Sequence, residues 1–379
     1  MKINLSLPHM SDEGYELAYI ADAFASNWIA PLGAYVDRFE RELAELTQRQ
    51  GAAVFNSGTA AIHMALRACG VQPGDRVLCS SFTFAASCNP IIYEQGVPIF
   101  IDSEYESWNL DPHLLEQALE QCAREGRQVK AVLAVSLYGT PANLPRIAEL
   151  CDHYGVALID EATEALGASI AGKPCGSFGR FGILSFNGNK IITTSGGGAV
   201  VSDDLEALAK MRFWATQSRD PAPHYQHSEL GFNYRLSNIC AAIGCGQLKV
   251  LSERIAARIA IFERYSQAFT DLPQIEMMPA YGEPNRWLSV IAIAKGCDIT
   301  PGEIAAALAA EDIETRPAWK PMNLQPYWER FPFYYDKGRE RPVGDDIFNR
   351  GLCLPSGSNL QIADQERVIA CVRSVISRH

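Results

Sequence analysis

Between residues 51 and 162 short apolar runs alternate with amphipathic stretches. The runs are AAVF, RVLC, VPIFI, AVLAV and ALIDEA; the stretches between them include AAIHMALRACG, HLLEQALEQCAREG and LPRIAELCDHYG. Short aliphatic runs predict buried strands, and apolar positions recurring at three and four residues predict helices that cover them. This is the βαβ rhythm of a largely parallel sheet between helical layers. Ahead of it, residues 12–50 read as a helix, the loop NWIAPLG, and a second helix in VDRFERELAELTQ. Behind it, residues 236–270 read as one long helix. That helix leads to a C-terminal part with a strand near WLSVIAIA, a helix at PGEIAAALAAEDI and an aromatic stretch at YWERFPFYY.

A chain of 379 residues exceeds one ordinary core, so a large and a smaller domain are expected. With 47% hydrophobic and 20% charged residues, both should be compact. A net charge of -11 argues against a general binder of nucleic acid or anionic membranes, which needs clustered Lys and Arg. The 11 cysteines lack CxxC or paired-His spacing, so buried thiols are expected, with neither a disulfide framework nor a metal site. No stretch reaches the ~20 apolar residues of a membrane span, and the N-terminus lacks an apolar leader core, which together predict a cytoplasmic protein.

Ligands of such sheets sit beyond the carboxyl ends of the strands, and there the unusual residues fall. FNSGTAAIHMAL places a small-residue turn between a strand and a helix, where free backbone N–H groups and the helix dipole attract a phosphate. An ordinary N-cap at Ser57 or Thr59 explains the same turn. SFNGNKIITTSGGGAVV sets Lys190 five residues after Ser185 and ahead of a glycine run that lets a flat molecule approach the backbone. A lysine amine condenses with an aldehyde, although a solvated loop lysine is the plainer reading. LIDEATEALGA ends a strand in carboxylates, which either serve a helix N-terminus or keep a pyridine nitrogen protonated.

Phosphate turn, strand-end acid, then Ser and Lys before glycines, in that order, resemble the DegT/DnrJ/EryC1/StrS sugar-nucleotide aminotransferases. The resemblance runs over nearly the whole chain through NWIAPLG, NSGTAAIHMAL, PGDRVLCSSFTFAASCNPI, VPIFID, DEATEALG, SFNGNK, the glycine run and GFNYRLSN. It implies the fold-type-I, aspartate-aminotransferase-like α/β architecture. A large, mostly parallel seven-stranded sheet domain over residues 1–245 would precede a smaller α+β domain over 246–379.

By the same resemblance the cofactor is pyridoxal 5'-phosphate, held as a Schiff base by Lys190, which also shuttles the catalytic proton. Gly58, Thr59 and Ser185 would hold the phosphate, Asn187 would belong to the cofactor shell, and Phe84 would stack on the ring. Asn233 would reach the phosphate of a partner subunit, making a homodimer with shared sites. Six residues before Gly167, where relatives carry the Asp that meets the ring nitrogen, this chain has Glu161 beside Asp160. Neighbours in a strand face opposite ways, so only one can meet the ring; register favours Glu161, with Asp160 the alternative. Glu164 stands where relatives have His or Gln near the cofactor hydroxyl.

LPHM, SNWIAPLG and the Glu-for-Asp exchange look closest to the subgroup that aminates UDP-4-keto-6-deoxy-N-acetylglucosamine for bacterial glycans. That likeness makes His9, Trp28 and Arg235 substrate candidates, against surface or packing roles. Glutamate would donate the amine and leave as 2-oxoglutarate. Three rivals remain: amination of a 3-keto sugar, a sugar dehydratase, against which the intact Lys190 speaks, and a non-catalytic regulatory relative.

Overall fold

A computed structural model describes residues 2–378 of the chain. Helices α1 (Tyr15–Ala25) and α2 (Ala34–Leu46) lead into β1 (Gly51–Phe55) and α3 (Gly58–Ala68). The alternation continues through β2 (Arg76–Ser80), α4 (Asn89–Tyr93), β3 (Val97–Ile101), α5 (Pro112–Arg124), β4 (Val129–Val135), α6 (Leu144–Tyr154) and β5 (Ala157–Glu161). A ribbon of β6 (Ser169–Ile170) and β7 (Lys173–Pro174) precedes β8 (Phe181–Ser185), β9 (Gly198–Ser202) and α7 (Leu205–Ala215). The remainder is α8 (Asn238–Lys249), α9 (Leu251–Ala268), β10 (Ile275–Met277), β11 (Ser289–Ile293), α10 (Pro301–Ala310), β12 (Arg316–Pro317), β13 (Phe333–Tyr334), α11 (Val343–Arg350), β14 (Gly351–Leu354) and α12 (Ile362–Ile376).

The main sheet runs β1-β9-β8-β5-β4-β2-β3-β13, and only β9 lies antiparallel to its neighbours. Its parallel strands are buried on both faces, which is why their sequences read as apolar runs without alternation. Helix starts follow local chemistry: Asp111, Asn143 and Asp204 each accept a backbone N–H at the first turn of α5, α6 and α7. Phe55, Phe100 and Phe181 are wholly buried in the main core, and each such ring contributes about 2–3 kcal/mol.

A second sheet, β10-β11-β14-β12, carries its own core around Ile261, Tyr265, Ile291, Val368 and Val372. Ile3 joins that core and pairs with Ile313, so the N-terminus is tied to the C-terminal part.

Two details depart from the sequence reading. The main sheet has eight strands and not seven, because the two-residue β13 from the aromatic stretch adds parallel to β3. The long helix over 236–270 is two helices, broken at Val250 where ψ reaches 5°. The division expected between residues 245 and 246 falls inside α8, whose Gly244 lies against the Phe39 ring of α2 and Gly246 against the backbone of Glu16 in α1. Among the described residues no helix is long and apolar enough to cross a membrane, and no His, Cys, Asp or Glu cluster could hold a metal ion.

Candidate active site

The carboxyl ends of β1, β5 and β8 converge on a cavity of about 330 Å³. One wall is the turn after β1. Ser57 Oγ accepts the Ala60 N–H at 3.1 Å and caps α3, while Gly58 and Thr59 open the helix at the cavity surface. The first N–H groups of a helix have no partner within it, so this wall attracts an anion. Two close approaches shape it. A Cβ on Gly198 would stand 2.5 Å from the Gly58 nitrogen, and one on Gly58 would stand 3.2 Å from Ser185 Cβ. The absence of side chains thus lets β9 and the end of β8 pack directly on the turn, with Ser185 at the cavity rim beside Gly58.

Lys190 enters from the loop between β8 and β9. The loop folds on itself: Phe186 N–H donates to Gly197 O at 2.9 Å, Thr194 N–H to Phe186 O at 3.0 Å, and Lys190 N–H to Asn187 O at 3.0 Å. Thr193 Oγ1 accepts the Ser195 N–H at 2.9 Å and secures the left-handed backbone at Ser195, φ 72°. The Lys190 side chain is held mostly inside, with Nζ 3.1 Å from Glu164 Oε1 and 4.4 Å from the centroid of the Trp287 ring.

The strand-end acids divide as the pleat requires. Glu161 points into the cavity, its Oε1 accepting from Thr163 Oγ1 at 3.1 Å, and its buried Oε2 has no hydrogen-bond partner. Burial pushes this carboxyl up to about 7, against the pull of the Ser87 and Thr163 hydroxyls. Asp160 faces the opposite side of the sheet, where Oδ2 accepts N–H groups of Gly176 at 2.6 Å and Phe178 at 3.3 Å. Asp160 therefore does not belong to the cavity, and its place among the cofactor contacts is corrected on that ground.

The cavity brings together Gly58, Thr59, Phe84, Glu161, Glu164, Ser185, Asn187 and Lys190. Phe84 is 60% exposed, with its ring 5.5 Å from that of Trp319. Four candidates lie outside this chain's cavity. Asn233 is exposed and uses its carbonyl to receive the Asn56 side-chain amide at 3.2 Å. His9 Nδ1 pairs with Ser358 Oγ at 3.0 Å, Trp28 is 55% exposed, and Arg235 stands between Glu40, Asp37 and Arg212 with its Nε unpartnered. Trp287 and Trp319 line the cavity and were not singled out in the sequence, since both come from the C-terminal part where a Trp beside a strand reads as core.

The residues present fit pyridoxal phosphate. A helix start with two small residues and a serine suits a phosphate, the partnerless Glu161 oxygen suits a protonated ring nitrogen, and the Lys190 amine suits an aldehyde.

The profile of the DegT/DnrJ/EryC1/StrS aminotransferase family matches residues 11–373. EpsN of Bacillus subtilis (strain 168), whose name assigns it to the pyridoxal phosphate-dependent aminotransferases, is 54% identical over 370 residues, 97% of this chain and 94% of its own. A GDP-perosamine synthase of Caulobacter vibrioides is 33% identical over 378 residues, 99% of this chain and 98% of its own. Among solved structures, a DegT DnrJ EryC1 StrS aminotransferase from Brucella abortus superposes with a TM-score of 0.87 at 29% identity, covering 96% of this chain and 95% of that one.

Proposed function

The chain belongs to the DegT/DnrJ/EryC1/StrS aminotransferase family and is a pyridoxal-phosphate-dependent sugar aminotransferase, and from that premise we propose its substrate and the work of its residues. The amino group of glutamate passes to carbon 4 of a nucleotide-linked 4-keto-6-deoxy sugar, UDP-4-keto-6-deoxy-N-acetylglucosamine, in bacterial glycan biosynthesis. The observation that carries the reading is the meeting of Lys190, the Gly58–Thr59 turn and the partnerless Glu161 oxygen in one cavity.

When bound, pyridoxal phosphate supplies an aldehyde for amines and a protonated ring that accepts the electron pair released at the substrate carbon. Around it, the N–H groups of Gly58 and Thr59 and the Ser185 hydroxyl hold the phosphate. Glu161 keeps the ring nitrogen protonated, a task its buried and partnerless oxygen suits. Phe84 covers the ring face, and Asn187 borders the cofactor. Lys190 Nζ removes the proton from the donor carbon and returns one on the far side of the exchange, as base and then acid. Trp287 and Trp319 close the cavity toward the C-terminal part and exclude water from that proton.

Phe24, Trp28, Leu32, Tyr225 and Leu230 are large hydrophobic side chains exposed in the single chain, which supports a homodimer. In it Asn233, outside its own cavity, would serve the phosphate of a second copy, and Trp28, Arg235 and His9 would line the sugar-nucleotide path. The subgroup assignment rests on LPHM, SNWIAPLG and Glu161. The likeness to a GDP-perosamine synthase favours, as a second reading, a GDP-linked 4-keto sugar. A panel of UDP-, dTDP- and GDP-keto-sugars offered with glutamate, products identified by mass and NMR, decides between them. Amination of the UDP-4-keto sugar is expected; amination of the GDP sugar alone, or at carbon 3, overturns the assignment.

A further inference from the structure

We propose that Glu164 and Trp287 form a dock for Lys190 when its amine is released from the cofactor and carries a proton, with Glu164 the counter-ion of that ammonium. The proposal rests on the reading of Lys190 above. Each half of a transamination displaces the lysine amine and gives it a proton to carry. A buried ammonium without a partner is costly, so the released amine needs a prepared place.

The geometry supplies one. Nζ lies 3.1 Å from Glu164 Oε1 and 4.4 Å from the Trp287 ring centroid, with Glu164 3% and Trp287 1% exposed. A carboxylate and an aromatic face are the two groups that stabilise a desolvated ammonium best. Neither is free to drift. Glu164 Oε2 accepts the Tyr138 N–H at 2.7 Å, and the Trp287 indole N–H donates to Asn189 O at 2.8 Å, next to Lys190 itself.

Asn285 joins the two halves. Its amide nitrogen donates to the carbonyls of Glu164 and Leu166, each at 2.9 Å, and its oxygen accepts the Trp287 N–H at 2.8 Å. Arg258, wholly buried, donates to the Trp287 carbonyl from behind and to Ser356 O at 3.0 Å. The dock is thus assembled from both parts of the chain.

Protons balance across the cycle. Nζ takes one from the substrate carbon, whose electron pair stays with the ring, and the ammonium so formed pairs with the Glu164 carboxylate. Nζ would then deliver that proton to the cofactor carbon that carries the new amine and return to a neutral amine, while Glu164 makes and breaks no covalent bond. It acts through Lys190 and is a positioning residue. The other titratable groups that face Glu164 are Glu161 from β5, Tyr138 from the turn after β4 and Cys353 from β14. Burial pushes the Glu164 carboxyl up and the Lys190 charge pulls it back, as for an ion pair shielded from water.

A purely structural role has a simple form: Glu164 caps the Tyr138 N–H. Gln does that equally well, which makes Glu164→Gln the discriminating variant. The cofactor-free protein is labelled with acetic anhydride across a pH series, and modification at Lys190 is quantified by peptide mass spectrometry. Glu164→Gln should raise Lys190 labelling near tenfold on the rising part of the pH series, because the ammonium loses its counter-ion. Trp287→Leu should increase labelling about threefold. Equal labelling of Lys190 in wild type and Glu164→Gln across the pH series overturns the dock. If Glu164→Gln does not fold, unchanged labelling in Trp287→Leu overturns it. No cofactor is present in this measurement, so its failure would leave the bond between Lys190 and cofactor standing. Failure to trap cofactor on Lys190 would instead remove the reading beneath it.

Discussion

Asp160 and Glu161 are adjacent on one strand, 0% and 4% exposed, each with one oxygen lacking a partner, and burial lifts each carboxyl to about 7. They differ in what faces them. Asp160 looks onto the folded-back segment 175–178 and receives two backbone N–H groups; Glu161 looks into a cavity it shares with Lys190 and the phosphate-type turn. Burial and a shifted carboxyl therefore do not locate a reactive site. The face of the sheet does, because one face was filled by the chain itself and the other left open.

Substitutions can break this comparison. The scale is set by Lys190→Ala, which should lower turnover by at least roughly a thousandfold in coupled glutamate assays, since it removes the proposed proton carrier of the open face. Glu161→Gln should lower kcat by on the order of a hundredfold while leaving the thermal midpoint near that of wild type, because the ring nitrogen would lose its proposed counter-charge. Asp160→Ala should do the reverse. With two buried N–H donors left unpaired it should lose about 2 kcal/mol or more in denaturant unfolding, with kcat within about threefold of wild type. If the activity loss followed Asp160 and the stability loss Glu161, the assignment of faces would be wrong.

The last comparison is a slope with pH, read without any activity. A carboxyl lifted to about 7 in the folded chain binds its proton more tightly folded than unfolded. Its stabilising contribution is whole below the ordinary carboxyl range and is lost as pH rises through about 7. The stability of Asp160→Asn relative to wild type should accordingly rise between pH 4 and pH 7 in the cofactor-free protein, the window between the ordinary carboxyl value of 3.8 and the lifted one of about 7. A constant difference would mean that Asp160 titrates as if exposed.

The sequence makes some of this plain and hides the rest for physical reasons. The five strands from AAVF to ALIDE and the turns after them are legible because doubly buried strands are short apolar runs, and chemistry-bearing residues stand where the runs stop. Pleat alternation separates Asp160 from Glu161. The eighth strand, Phe333–Tyr334, is too short for any periodicity, and the break at Val250 has no Gly or Pro to announce it. Trp287 and Trp319 reach the cavity only through long-range contacts: Asn285 to Glu164, and the Tyr138 hydroxyl that receives the Trp319 N–H at 2.8 Å. No local pattern encodes these. His9, Trp28, Asn233 and Arg235 came from resemblance, and a single chain keeps them out of its own cavity.

The account turns on where the cofactor is bonded. Borohydride reduction of the holoenzyme, followed by proteolysis and mass spectrometry of the tagged peptide, reads that position directly. One pyridoxyl group on Lys190 is the predicted result. A tag on another lysine, or a cofactor that washes off after reduction with Lys190 unmodified, would contradict it.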